Sequence, residues 1–301
     1  MNVPMTWVSL AFIAPLCYAA SNFIDRFLVV KRIRDPRFVA VLGGVFTTVL
    51  GFAVWVWRGF PVLPPLPAVL LLGTGFAAQL ALLPWYKAIQ LDDASRVIPF
   101  YQLIPVVTLI AAYLFLGERL ALVQVIGSAL VIGGGLALSL ERNFWETFHL
   151  RRSFGYILLS VPMFSASAIA FKYVVVDSNF WDTLAYEMLG AGIGATLLFV
   201  VFRRSVVRGV RNVQGGTWGL LATNELVYTL GRFVGFSAYA LGPVSLVSVI
   251  GGVQPFYVLV AGTLLSAFFP RFIREDTSRS TLLLKVVSIL VIFTGLVLIG
   301  G

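Results

Sequence analysis

Glu225 and Arg232 stand seven residues apart inside the apolar run TWGLLATNELVYTLGRFVGFSAYAL, residues 217–241, with Tyr228 between them and Asn224 one position off that line. On a helix, a spacing of seven returns a side chain to the same face. The rise over seven residues is about 10 Å, too far for an ideal direct pair along one helix. Ionisable groups in hydrocarbon are expensive and mark a functional site by default. The chemistry expected of them is recognition: Arg232 for an anionic group, Glu225 for a cationic group or a proton. The alternative is a structural network tying this segment to its neighbours.

Other polar residues fall inside apolar runs. Tyr186 and Glu187 lie toward the outer third of residues 182–202, where binding and snorkelling to the interface explain Glu187 equally well. Asp25 and Lys172 end two further runs and read as gate or rim positions or as interface anchors. Trp85 and Tyr86 fit a rim or an interfacial aromatic belt. Pro105 and Pro255 each remove a backbone hydrogen bond, so they are expected hinges, the second preceded by Gly251 and Gly252. The freed backbone groups could face a cavity, with Tyr101, Gln102, Gln254 and Tyr257 as lining residues; a kink tolerated by packing is the alternative.

No enzyme signature emerges. There is no P-loop, and the single histidine, His149, lies in a charged connector without a second metal-type residue. The one cysteine, Cys17, sits in an apolar run and reads as packing. Neither a catalytic residue, a metal nor a cofactor is expected.

The elements that must position these residues follow from composition. Of 301 residues, 59% are hydrophobic and 12% charged, against about 25% charged in soluble domains. The apolar runs are each near the ~20 residues that cross a bilayer as helix. Ten spans are expected, over residues 7–30, 38–57, 67–90, 96–116, 120–140, 154–176, 182–202, 217–241, 244–268 and 281–300. The runs are continuous and do not alternate, which excludes a β-barrel, and backbone groups in hydrocarbon must be satisfied internally, so the spans are helices. The net charge of +9 sits in short loops and is not a nucleic-acid surface. Lys and Arg concentrate after spans 1, 3, 5, 7 and 9, against Arg58, Arg119 and Lys172 on the other side. The positive-inside rule then places both termini outside the cytoplasm.

The chain repeats itself. A shift of 147 carries Pro15 onto Pro162, Asp25 onto Lys172 and Gly43 onto Gly190; a shift of 150 carries Ser95 onto Ser245 and Pro105 onto Pro255; a shift of 161 carries Gly127 onto Ser288. The expected organisation is therefore 1–141 as a first five-helix repeat, 142–153 as an interfacial cytoplasmic connector and 154–301 as a second repeat. Five helices is an odd number, so the second repeat enters the membrane upside down, with a site near the midplane between the two. Gly75 and Leu82, the first-repeat counterparts of Glu225 and Arg232, are apolar, so the site is asymmetric.

The proline-containing fourth span, the Gly117-Glu118-Arg119 turn, the glycine-rich fifth span and Ser21-Asn22-Phe23 together resemble the drug/metabolite transporter superfamily, in its ten-helix EamA-type members. The resemblance implies two five-helix repeats and export or exchange of small metabolites, often driven by an ion gradient. Two features depart from it: residues 267–269 read Ala-Phe-Phe where the first repeat has Gly-Glu-Arg, and the charge bias puts the termini outside. The resulting expectation is a secondary-active transporter of a small polar or zwitterionic metabolite, such as an amino acid, working by alternating access in a bacterial-type inner membrane. Its partners would be that small molecule, protons as a candidate coupling ion, and membrane lipids. A lipid or lipid-linked-sugar flippase and a non-transporting membrane sensor remain open alternatives. A monomer would be complete, and dimerisation through glycine faces stays open.

Overall fold

A computed structural model describes residues 6–91, 98–139, 152–268 and 279–300, which form helices joined by short connections with no strand among them. Ten helical units follow one another. α1 is Thr6–Arg26, continued by a π-helical turn over Phe27–Arg32. α2 is Pro36–Trp57 and α3 Pro65–Leu91. α4 is composite: a 3-10 turn Ile98–Gln102, an α-helical stretch Leu103–Ala111 and a π turn Ala112–Leu116. α5 is Leu122–Ser139, α6 Arg152–Val175, α7 Phe180–Asn212 and α8 Gly215–Leu241. α9 is broken into Val244–Gly251 and Gln254–Phe268, and α10 is Arg279–Gly300.

Seven of the described helices are long and apolar enough to cross a membrane, and Phe100–Leu116 and Leu122–Leu138 are shorter apolar helices. α8 is 27 residues long but carries Asn224, Glu225 and Arg232 and is not among the seven. The outer surface is apolar: Val49, Val69, Leu114, Leu230 and Leu290 are all exposed. An apolar exterior of this extent needs lipid around it.

Each expected span has a helical counterpart among the described residues, with three physical differences. The fourth is not one helix: a 3-10 turn gives way to α-helix at Leu103, two residues ahead of Pro105, which has no N–H to give to the preceding turn, and a π turn follows from Ala112. The ninth parts at Gly251–Val253 just ahead of Pro255. The seventh runs past the expected residue 202 to Asn212, through a kink at Phe202 (φ −109°, ψ 21°). The expected connector 142–153 lies outside the described residues except for Arg152 and Ser153, which begin α6.

Local chemistry starts and stops the helices. Asp35 accepts the Arg37 N–H ahead of α2, with Pro36 in its first turn. Asn179 accepts the Trp181 N–H at the start of α7. Gly117 ends α4 in the left-handed region at φ 66°, a conformation that glycine adopts without penalty. Glu118, next in the chain, reaches across to α9. Its carboxylate accepts the backbone N–H groups of Val244 (2.8 Å) and Ser245 (3.1 Å) and the Ser245 hydroxyl. It thereby caps a helix whose own N-cap residue, Pro243, offers no side-chain acceptor. Outside the spans, Arg58 joins Asp182 at 2.7 Å, and that hydrogen bond pushes the guanidinium pKa up.

Small residues set the helix packing. α2 and α7 cross antiparallel, Gly44 against Ala195 and Gly51 against Met188. α5 and α10 do the same, Gly127 against Gly295 and Gly134 against Ser288 and Ile292. α1 runs antiparallel to α8, with Gly231 on Tyr18 and Gly242 on Trp7. The closest approach is α3 on α7, where a Cβ at Gly75 would stand 2.0 Å from the Glu187 carbonyl oxygen. Gly75→Ala is therefore expected to cost at least about 2 kcal/mol by overpacking, read as a lowered thermal midpoint in detergent. Gly73→Ala, where nothing lies within 4 Å, should leave the midpoint in place. Equal midpoints for the two variants would contradict this packing.

Candidate functional site

The centre of the bundle holds a cavity of about 220 Å³ lined from α1, α3, α4, α6, α7, α8 and α9. Three of its walls are built by interruptions in helices. α1 changes to a π turn two residues after Asp25, α4 passes from 3-10 to α-helix at Gln102, and α9 breaks at Gly252. Such interruptions free backbone groups at membrane depth, which is tolerated where they face protein or a cavity. At the last two, Gln102 Nε2 donates to the Gly252 carbonyl at 2.7 Å, so a side chain at one break satisfies a backbone group at the other.

Two polar clusters face the cavity. In the first, Asp25 on α1 accepts from Asn224 Nδ2 at 2.8 Å, and Asn224 Oδ1 accepts the Ser21 hydroxyl at 2.9 Å. Tyr86 stands beside the same carboxylate. Asp25 is 4% exposed and is held by these neutral groups. In the second, Arg232 on α8 forms an ion pair with Glu187 on α7, whose other oxygen accepts the Ser167 hydroxyl at 3.0 Å. Glu187 is fully buried. The Arg232 guanidinium also lies over the Phe236 ring at 5.7 Å, as expected for a cation at an aromatic face.

Aromatic rings fill the space between the clusters. Tyr18 meets Tyr228 at 5.8 Å between centroids, Trp85 meets Tyr101 at 4.0 Å, and the Tyr101 hydroxyl lies 3.5 Å from Asn22 Oδ1. Two lining residues carry polar atoms that are buried without a hydrogen-bond partner among the described residues: Asn22 Nδ2, a donor, and Gln102 Oε1, an acceptor. Buried polar atoms are almost always paired, and these two, a donor on α1 and an acceptor on α4, are exceptions on residues that line the cavity.

Of the residues expected from sequence, Arg232, Tyr228, Glu187, Tyr101, Gln102, Gln254, Asp25, Trp85 and Tyr86 line this cavity, together with Pro105, Pro255, Gly251 and Gly252. Four others stand apart from its lining. Asn224 holds Asp25 from behind. Glu225, 5% exposed, turns toward α2, where a Cβ at Gly43 would stand 3.0 Å from its Oε1. Tyr257 packs against Phe256 in a separate apolar cluster. Lys172 donates to the Gly242 and Ala240 carbonyls at the end of α8, the role of a helix C-terminal cap. Sequence reasoning passed over Tyr18, Asn22 and Gln79. Tyr18, Asn22 and Asp25 recur at spacings of four and three along α1, the same one-face argument that singled out Glu225 and Arg232 on α8.

Comparison with known proteins agrees with this architecture. Residues 5–140 match the EamA-like transporter family. A curated protein from Sinorhizobium sp, described as an uncharacterized transporter in the cobO 3′ region, is 38% identical over 66 residues, which is 22% of this chain and 47% of that one. The chain thus spans about half the length of that relative. A solved structure described only as the crystal structure of a protein superposes with a TM-score of 0.69, covering 97% of this chain and 96% of its own, at 16% identity. That likeness is one of fold. With the apolar helices, these matches make the chain an integral membrane protein.

The Glu187–Arg232 pair yields a stability prediction. Removing one partner of a buried pair strands the other charge and costs about 3–5 kcal/mol. Glu187→Gln should lower the denaturation midpoint in detergent sharply. Adding Arg232→Gln to it should restore more than half of the loss. A double variant less stable than the single one would show that the two charges are not paired.

Proposed function

We propose that this EamA-type integral membrane protein is a secondary-active transporter of a small polar metabolite bearing an amino group, in the class of zwitterions such as amino acids, and that it works by alternating access. The carrying observation is the division of charge in the cavity. Arg232 is already matched by Glu187, whereas Asp25 is held by neutral partners. A cationic amine is attracted to Asp25 within rings of Tyr18, Tyr86 and Tyr101, which favour cations at their faces. Glu187 takes one of the five donors of Arg232 in the ion pair, and the remainder can meet a carboxylate.

Alternating access is supported by reciprocity between the halves, organised as residues 1–141 and 154–301. Under the shift of 161, Gly127 corresponds to Ser288 and Gly134 to Gly295. Gly127 packs on Gly295, and Gly134 packs on Ser288, in antiparallel helices. Each residue thus meets the counterpart of the other, as an isologous two-fold contact requires. Gln102 and Gly252, counterparts under the shift of 150, bond directly to one another. These pairings fit inverted repeats about an axis through the cavity, which can exchange conformations to open either side. On the positive-inside rule, the end carrying Arg37, Arg203 and Arg208 faces the cytoplasm and both termini face away from it. Asp25 and Glu225 are the candidate proton-coupling groups, two carboxylates at membrane depth in one electrostatic neighbourhood.

The test is binding and uptake by the purified protein against a panel of amino acids, amines and organic anions, at pH values on either side of neutrality. An amine-bearing compound should raise the thermal midpoint and enter proteoliposomes. Asp25→Asn should weaken its binding by at least about tenfold, the scale of one charge-assisted hydrogen bond. Glu225→Gln should leave binding closer to wild type and remove the dependence of uptake on a pH gradient. Preference for anions, or unchanged binding in Asp25→Asn, would overturn the assignment. A lipid recovered from the cavity in place of any soluble compound would turn the reading toward a flippase.

A further inference from the structure

A second cavity, of about 310 Å³, opens at the Lys/Arg-rich end of the bundle, away from the central one. Its walls are the π turn that ends α1, the extension of α7 beyond its kink, and the first turn of α8. Lys31, Arg32 and Arg208 bring positive charge to it, and Ser205, Asn212 and Gln214 add polar side chains. Asp35 is the acidic residue in the lining, and its two oxygens are already engaged, one by the Arg37 N–H and the other by the Ser205 hydroxyl. The wall is therefore positive in net effect.

The surroundings of this pocket are those of a membrane interface. The kink at Phe202 divides α7 into an apolar span and a segment bearing Arg203, Arg204, Arg208 and Arg211. Within that segment Val206 is buried, while Val207 and Val210 are exposed. Trp218, at the start of α8, is 37% exposed beside the pocket residue Thr217, and Val30 is exposed beside Lys31. Basic side chains over a polar recess, next to exposed valines and a tryptophan, combine headgroup chemistry with acyl-chain chemistry. A soluble anion would need only the first.

We propose that this pocket binds the phosphate-bearing headgroup of an anionic membrane phospholipid, with the acyl chains lying along Val30, Val207, Val210 and Trp218. Arg32 and Arg208 are the principal phosphate ligands, and the first turn of α8, which Gln214 leaves without a side-chain cap, adds the positive end of a helix dipole. The bound lipid bridges α1, α7 and α8, the three helices that carry Asp25, Glu187 and Arg232, and so ties the central site to the composition of the bilayer.

The experiment uses the delipidated full-length protein in detergent, titrated with phosphatidylglycerol, with phosphatidylcholine and with inorganic phosphate, and read by thermal midpoint and by native mass spectrometry of retained lipid. Phosphatidylglycerol should stabilise well above phosphatidylcholine and remain bound in the gas phase. Each of Arg32→Gln and Arg208→Gln should weaken it about fivefold, the scale of one basic residue at a lipid surface. Gln214→Glu, which puts a carboxylate on the pocket wall without removing a basic residue, should weaken it as well. Arg204→Gln makes the same charge change outside the lining and should have little effect. Equal response to the two lipids, or equal losses at Arg204 and Arg208, would overturn the proposal in favour of diffuse surface charge. Inorganic phosphate matching phosphatidylglycerol would overturn it in favour of a free anion.

Discussion

The ion pair between Glu187 and Arg232 is the interaction on which the centre of the bundle depends. Two charges placed near the middle of a membrane protein are tolerable only if each answers the other and the remaining hydrogen-bonding capacity is used. Here Glu187 is fully buried, with one oxygen on Arg232 and the other on Ser167. The pair joins α7 to α8, and Ser167 brings in α6. The geometry of three helices is thus fixed at the point where the cavity is widest in chemical choice.

That pair can form because backbones approach closely elsewhere. Gly75 lets α3 reach the Glu187 carbonyl, Gly190 meets Leu72, and Gly194 meets Phe76 and Gln79. With no water to drive helices together in lipid, close packing of small residues supplies much of the association energy. The α3–α7 seam fixes the backbone of residue 187 and hence the direction of its side chain. The site and the scaffold share residues at this seam, and a methyl group added to the seam would move the carboxylate.

The central cavity joins two otherwise separate demands. Helix breaks at Gln102 and Gly252 leave backbone groups that must be satisfied, and the Gln102 amide satisfies one with its nitrogen while its oxygen is buried without a partner among the described residues. Asp25 is likewise positioned by Asn224 and Ser21, groups that hold it without neutralising it. Gln102 and Asp25 therefore take part in the hydrogen bonds of the scaffold and also line the cavity. This economy suits a membrane, where every additional buried polar group has to be compensated.

The sequence by itself determined the class of the protein and the inventory of its elements. Apolar runs near the length of a bilayer crossing, punctuated by short charged loops, permit little besides membrane helices, and all ten expected spans have a helical counterpart. Periodicity along single helices was also legible, since it is local: it found Arg232 and Tyr228 on α8, and the prolines that break α4 and α9. Only the tertiary structure decided which polar residues share a space. Glu225 and Arg232 lie on one face of one helix, yet Arg232 pairs with Glu187 from another helix and Glu225 points at Gly43. Lys172 and Asp25 are brought together by the sequence shift of 147, yet one caps a helix end and the other faces the cavity. The rotation of each helix about its axis is set by which small residues of neighbouring helices meet, and those contacts join positions far apart in the chain. Nothing in the local pattern of α8 encodes the orientation of α7, and so the partner of a buried charge is a property of the assembled bundle.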